Sequence, residues 1–203
     1  MIEHTDGDLV LLKAHVKGHV RGSSYVRPYE RGGPEGSHPE PHHHPEPDDH
    51  GKPVLIKRPA HPSAPSTWNN PDAVATFVPG GDVPRELNGV PFRRWRDAPD
   101  TVEGWDYTEC VDHDIEEPPF HLPPGKRAAA GVVIEEPDGR CWLVHPTNAF
   151  GGYEATFAKG SCEPELSMQG NAVKEAWEES GLKVQITGFL MDVDRTTSKA
   201  RFY

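Results

Sequence analysis

The run KEAWEESGL, residues 174–182, places Glu175, Glu178 and Glu179 close together and then stops at a glycine. On a helix turning 100° per residue, positions i, i+3 and i+4 fall in one sector about 100° wide. Three like charges so placed repel, and the only lysine in the run, Lys174, stands i,i+4 from Glu178 and can pair with it. Two chemistries suit these residues. One is a solvated helix face, since Glu is a strong helix former. The other is a hard-cation site: Mg2+ or Mn2+ takes oxygen ligands and retains several waters, so carboxylates converging from one face can hold one or more ions. Spacing alone leaves both open.

Whatever these glutamates do, a helix and a sheet must position them. Ala172, Val173, Ala176 and Trp177 share the opposite sector and are expected to face a sheet. Ser167 suits the N-cap, the helix is expected to run to about Ser180, and Gly181 suits the left-handed position after it. Upstream, AAAGVVIEE (128–136) reads as a strand, Pro137-Asp138-Gly139 as a turn and RCWLVHP (140–146) as a second strand, together a hairpin. A loop region follows, with a short strand expected at 155–157. LKVQITGFLMDVDR (182–195) reads as a strand, and SKARFY (198–203) begins another.

The stretch Gly160 to Leu182, GSCEPELSMQGNAVKEAWEESGL, resembles the signature of the Nudix hydrolases, G-x5-E-x7-R-E-U-x-E-E-x-G-U with U aliphatic. Gly160 takes the opening glycine, Lys174 the arginine, Glu175 the first glutamate of the core and Ala176 the small apolar position. Glu178 and Glu179 take the paired glutamates, and Gly181 and Leu182 close the motif. FAKG just before it is similar to the family's entry to the loop. The resemblance covers about residues 127–203 and implies an α+β fold, a Nudix-like α/β/α sandwich with a mixed β-sheet. It implies a pyrophosphohydrolase that uses Mg2+ (or Mn2+) to cleave the diphosphate bond of a nucleoside diphosphate linked to another moiety. ADP-ribose, a dinucleoside polyphosphate and a nucleoside triphosphate are the candidate substrates. Glu175, Glu178 and Glu179 would be catalytic residues and metal ligands, with the Gly160 carbonyl as a further ligand.

Three features depart from the family pattern. The first glutamate of the motif is Leu166, with Glu163 and Glu165 nearby, and the arginine is Lys174. In the family these two side chains brace the loop against the helix, so an apolar residue and a flexible point charge imply a rebuilt brace. Nudix folds also continue with further strands and a C-terminal helix, so a chain stopping at Tyr203 reads as a fragment with a half-built sheet edge. The alternative reading is therefore an impaired or truncated Nudix-fold module that binds nucleotide or a partner without turnover. Trp142, Phe150 and Tyr153 could stack on a base or belong to the core. Asn148, Gly151 and Gly152 could approach phosphate or form a plain turn.

Composition divides the rest of the 203 residues. Hydrophobic residues make up 34%, and 20 Gly and 22 Pro are spread through the chain, so a core must be concentrated somewhere. Residues 1–31 read as a small basic β-hairpin segment, with Lys13, Lys17, Arg21, Arg27 and Arg31 and a turn at Gly22-Ser23-Ser24. Residues 32–53, including His38, His42, His43, His44 and His50, read as a disordered His/Pro/Glu-rich linker. Residues 54–126 carry Trp68, Phe77, Val78, Phe92, Trp95, Trp105 and Phe120 in a proline-rich context. Aromatic side chains bury roughly 150–250 Å2 each, so this extension is expected to wrap, extended and turn-rich, onto a neighbouring domain.

A formal charge of -11 gives no footprint for nucleic acid, while a nucleotide can be held through metal ions. Cys110, Cys141 and Cys162 share no CxxC spacing, which argues against a disulfide framework or zinc knuckle. The acidic N-terminus and the lack of a long apolar run predict a soluble cytoplasmic protein with no membrane partner.

Overall fold

The computed structural model describes residues 12–15 (backbone), 43, 50–56, 59, 61–78, 83–93, 95–145 and 154–203. The turn expected at 22–24, the cations Lys17, Arg21, Arg27 and Arg31, and His38, His42 and His44 lie outside this set. So do Asn148, Phe150, Gly151, Gly152 and Tyr153. Strand β1, Leu12–His15, runs antiparallel to β5, Cys141–Val144, with Leu12 opposite Val144 and His15 opposite Cys141.

The central sheet has four strands in the order β6-β4-β8-β7. Strand β4 is Arg127–Gly131, β6 Lys159–Ser161, β7 Met191–Asp194 and β8 Ser198–Phe202. β6 and β7 run antiparallel to their neighbours, whereas β4 and β8 are parallel, so the sheet is mixed. Alternation along β4 sends Ala130 to one face and Ala129 to the other. Ala130 joins the main core with Ala172, Val173 and Ala176 of helix α2, Met168–Ser180. Ala129 packs with Ala200, Phe202 and Phe157 on the opposite side. The architecture is α+β. Among the described residues, a helix covers one face of this sheet rather than the two faces of the expected sandwich.

Helix α2 begins and ends where its local chemistry predicts. The Ser167 side chain caps it by accepting from the Gly170 amide at 2.9 Å, and Gly181 leaves it in the left-handed conformation at φ 68°.

The expected hairpin forms around its turn: Glu135 bridges Cys141 antiparallel, with Glu136 N–H bonded to Arg140 O (2.8 Å) and Trp142 N–H to Ile134 O (2.9 Å). Its first arm is not one regular strand: β4 stops at Gly131, although Val132 N–H still bonds to Ala158 O (3.0 Å) and Val133 N–H to Tyr203 O (2.8 Å) before the chain pairs with β5. Strand β4 ends where β6 lies close. A Cβ on Gly131 would lie 2.5 Å from both Ala158 O and Lys159 Cβ. At 155–157 only Thr156 pairs, bridging Val144. In 182–195 only β7 is a regular strand, because earlier amides bond elsewhere, as Ile186 N–H does to Cys110 O at 2.8 Å. Strand β8 is an interior strand, paired on both sides, and Arg201, Phe202 and Tyr203 are buried. The sheet edges among the described residues are β6 and β7.

The aromatic side chains upstream share this core. Trp68, Phe77, Trp95 and Trp105 are buried in one cluster with Ala130, Trp142 and Val173. Short elements carry them: α1 (Pro65–Trp68), β2 (Glu86–Leu87), β3 (Val90–Pro91) and a 3-10 turn at Glu103–Tyr107. No helix among the described residues is long and apolar enough to cross a membrane.

Candidate active site

Apolar packing of Ala172, Val173 and Ala176 against β4 turns the Glu175 and Glu179 side of α2 toward the neighbouring strand β6. Glu179 Oε2 accepts from the Lys159 amide at 2.9 Å. Glu175 lies over the α-carbon of Gly160: a Cβ built there would stand 1.9 Å from Oε1 and 2.1 Å from Oε2. A side chain at position 160 would therefore have to displace the Glu175 carboxylate. The opening glycine of the motif and its first core glutamate, fifteen residues apart in number, are in direct contact.

Electrostatics follow from this seating. Burial, then the charges of Glu179 and Glu178, push the Glu175 carboxyl up to about 7, against the weaker opposing pull of Lys174 and Lys159. Glu179 is also raised by burial, which the Lys159 amide and ammonium partly offset. Glu178 is exposed and pairs with Lys174 at 2.5 Å, while Lys174 also reaches Glu163 at 3.0 Å. Burial depresses the Lys174 ammonium, but hydrogen bonds to Glu178 and Glu163 outweigh it and its pKa is raised. The Cys162 thiol, raised to about 11 by burial and by Glu175, stays neutral near pH 7.

Leu166 and Lys174 part company in the structure. Leu166 is buried in the main core instead of meeting the position-174 cation. Glu163 meets Lys174 in its place. Asn171, buried within α2, holds the loop: its Oδ1 accepts from Glu163 N–H at 2.7 Å, and its Nδ2 donates to Glu163 O, Leu166 O and Ser167 O. Asn171 carries more of this loop than any residue singled out from the sequence. Its signal was an amide side chain inside a helix, where such groups bond to nearby backbone. Gly181 and Leu182 close the helix; Gly181 N–H bonds to Trp177 O at 2.7 Å and Leu182 is fully buried. Trp142 belongs to the core, its Nε1 donating to Glu136 at 2.6 Å and its ring against Trp68 and Phe92.

The donor set has the chemistry for a hard divalent cation: anionic oxygens, two of them on partly buried groups whose mutual repulsion a cation would relieve. Among the described residues, no group of three or more His, Cys, Asp or Glu already stands at metal-holding separation. Glu178 is turned to Lys174.

No curated protein and no solved structure matches the chain. The family model of the NUDIX domain matches residues 125–203, the span that holds the Gly160–Glu175 contact, helix α2 and the whole central sheet. Residues 125–203 of this chain are thus similar to the NUDIX domain, the same stretch over which the motif from Gly160 to Leu182 carries the resemblance.

Proposed function

We propose that the chain is a divalent-metal-dependent pyrophosphohydrolase, cleaving the diphosphate bond of a nucleoside diphosphate linked to another moiety. The observation that supports this most is Glu175, pressed on Gly160 and crowded by Glu179 and Glu178 in a Nudix-family segment. Glu175, Glu178 and Glu179, with the Gly160 carbonyl, would hold Mg2+ (or Mn2+), which supplies neutralisation of phosphate oxygens and acidifies a water. The protein's part is positional. The Lys159 amide anchors Glu179, Gly160 admits Glu175, and Lys174 with Glu163 sets where Glu178 rests. These glutamates are also proton acceptors within the site, the capacity that a general base requires.

The test is a panel of ADP-ribose, dinucleoside polyphosphates and nucleoside triphosphates, with and without Mg2+ or Mn2+, recording both binding and product. Metal-dependent turnover of at least one member is expected. Glu179→Gln, which keeps shape and removes charge, is expected to lower turnover by at least about a hundredfold. Unchanged turnover would sink the assignment, and binding without turnover on every member would identify a non-catalytic module.

A further inference from the structure

Segment 95–117 lies along α2 from its first turn to beyond its last. At the first turn, Asp106 accepts from the Ser167 amide (3.0 Å to Oδ2) and from the Ser167 hydroxyl (2.5 Å to Oδ1). The hydroxyl proton is thereby turned away from the helix, which leaves a lone pair aimed at the Gly170 amide that it caps. Gly170 leaves room for this: a Cβ there would stand 2.0 Å from Asp106 Oδ1. One residue earlier, Gln169 accepts from Asp112 N–H (2.9 Å) and donates to Asp112 O (2.9 Å) and Glu117 (2.7 Å). Near the other end Trp95 packs edge-on against Trp177, with ring centroids 5.4 Å apart, and Glu109 pairs with Lys183.

These contacts matter because of what lies under the helix. α2 meets β4 through Ala172, Val173 and Ala176 against Ala130. Such short side chains permit close approach but interlock shallowly, and packed helices move by sliding. Directional bonds at the first turn resist that slide.

We propose that Asp106, outside the family-matched residues, is a positioning residue for the carboxylate face of α2, fixing where Glu175 and Glu179 meet β6. As a statement about catalysis it rests on the metal-site reading above. Its geometric part has its own reporter, the Lys159 amide held by Glu179.

The experiment measures hydrogen exchange by NMR in the full chain and in Asp106→Ala, comparing Lys159 with Val133, whose amide bonds to Tyr203 O across the sheet at 2.8 Å. A loss of global stability accelerates amides that exchange through global unfolding by one common factor. Positioning predicts that Lys159 accelerates at least about tenfold more than Val133; acceleration by the same factor overturns the proposal. Mn2+ affinity, read by electron paramagnetic resonance well below the melt, is expected to fall about tenfold in Asp106→Ala. An unchanged affinity, where Glu179→Gln does weaken Mn2+, also overturns it. If Glu179→Gln leaves Mn2+ binding at the wild-type level, the metal reading fails, and the Lys159–Val133 comparison still decides whether Asp106 positions α2. Should Asp106→Ala lose its cooperative melt, Gly170→Ala, whose Cβ displaces the Asp106 carboxylate, carries the same comparison.

Discussion

At the scale of single residues, the site turns on one contact, the Glu175 carboxylate on the Gly160 α-carbon. Gly160→Ala is expected to push Glu175 off β6 and lower turnover by about a hundredfold or more, at little cost in helix content. Steady-state kinetics alongside circular dichroism check this. Proton linkage gives a second expectation. The Glu175 carboxyl is raised to about 7 in the folded protein from an ordinary value of 4.5, so the stabilisation it draws from protonation is complete below 4.5 and lost as pH rises through about 7. The metal-free protein should therefore melt higher at about pH 5.5 than at about pH 8, and Mg2+ should raise the melting temperature more at the higher pH. A Mg2+ effect equal at both pH values would contradict the placement of the carboxylates.

At the scale of elements, α2 and the loop before it form one unit. Asn171 ties three residues of the loop to the helix, Glu163 extends the tie to Lys174, and Lys174 extends it to Glu178. Asn171→Ala removes a buried amide and leaves the Glu163 N–H and the Leu166 carbonyl without it. The expected loss is about 2–3 kcal/mol of unfolding free energy, measured by urea titration. Weaker Mn2+ binding should accompany it, because the loop runs back to Gly160. The glutamate and arginine of the family pattern are replaced here by a buried leucine and a lysine with two carboxylate partners. A flexible ammonium suits two partners at different angles better than a planar guanidinium would.

At the scale of the whole molecule, the family-matched residues and the segment before them share one core. Trp68 packs on Trp142, Trp95 packs on both Trp105 and Trp177, and Arg201 of β8 binds Asp192 in the sheet together with Glu117 and the Pro118 carbonyl of the preceding segment. Arg201 also lies over the rings of Phe120 and Phe189. A chain cut to residues 125–203 would expose Trp142 and leave Arg201 without Glu117. It is expected to lack the cooperative thermal transition of the full chain in calorimetry, since a short segment stripped of part of its core is marginal.

The amino-acid sequence by itself determined what is local. The start and end of α2, its apolar stripe and the shared sector of Glu175, Glu178 and Glu179 follow from capping chemistry and the 3.6-residue period, both set within a few positions. Strand-forming character was legible for β4, β5, β7 and β8, but the partners were not: β4 pairs in parallel with β8, about seventy residues on, and nothing in a period of two names a distant neighbour. Only the tertiary structure decided that Gly131 ends β4 where β6 closes in, that Glu175 rests on Gly160, and that Asp106 reaches Ser167. The physical reason is common to all three. Each is a contact between segments far apart in the chain, made when burial of the apolar faces brings them together, and only then do the polar groups at their rims find their partners.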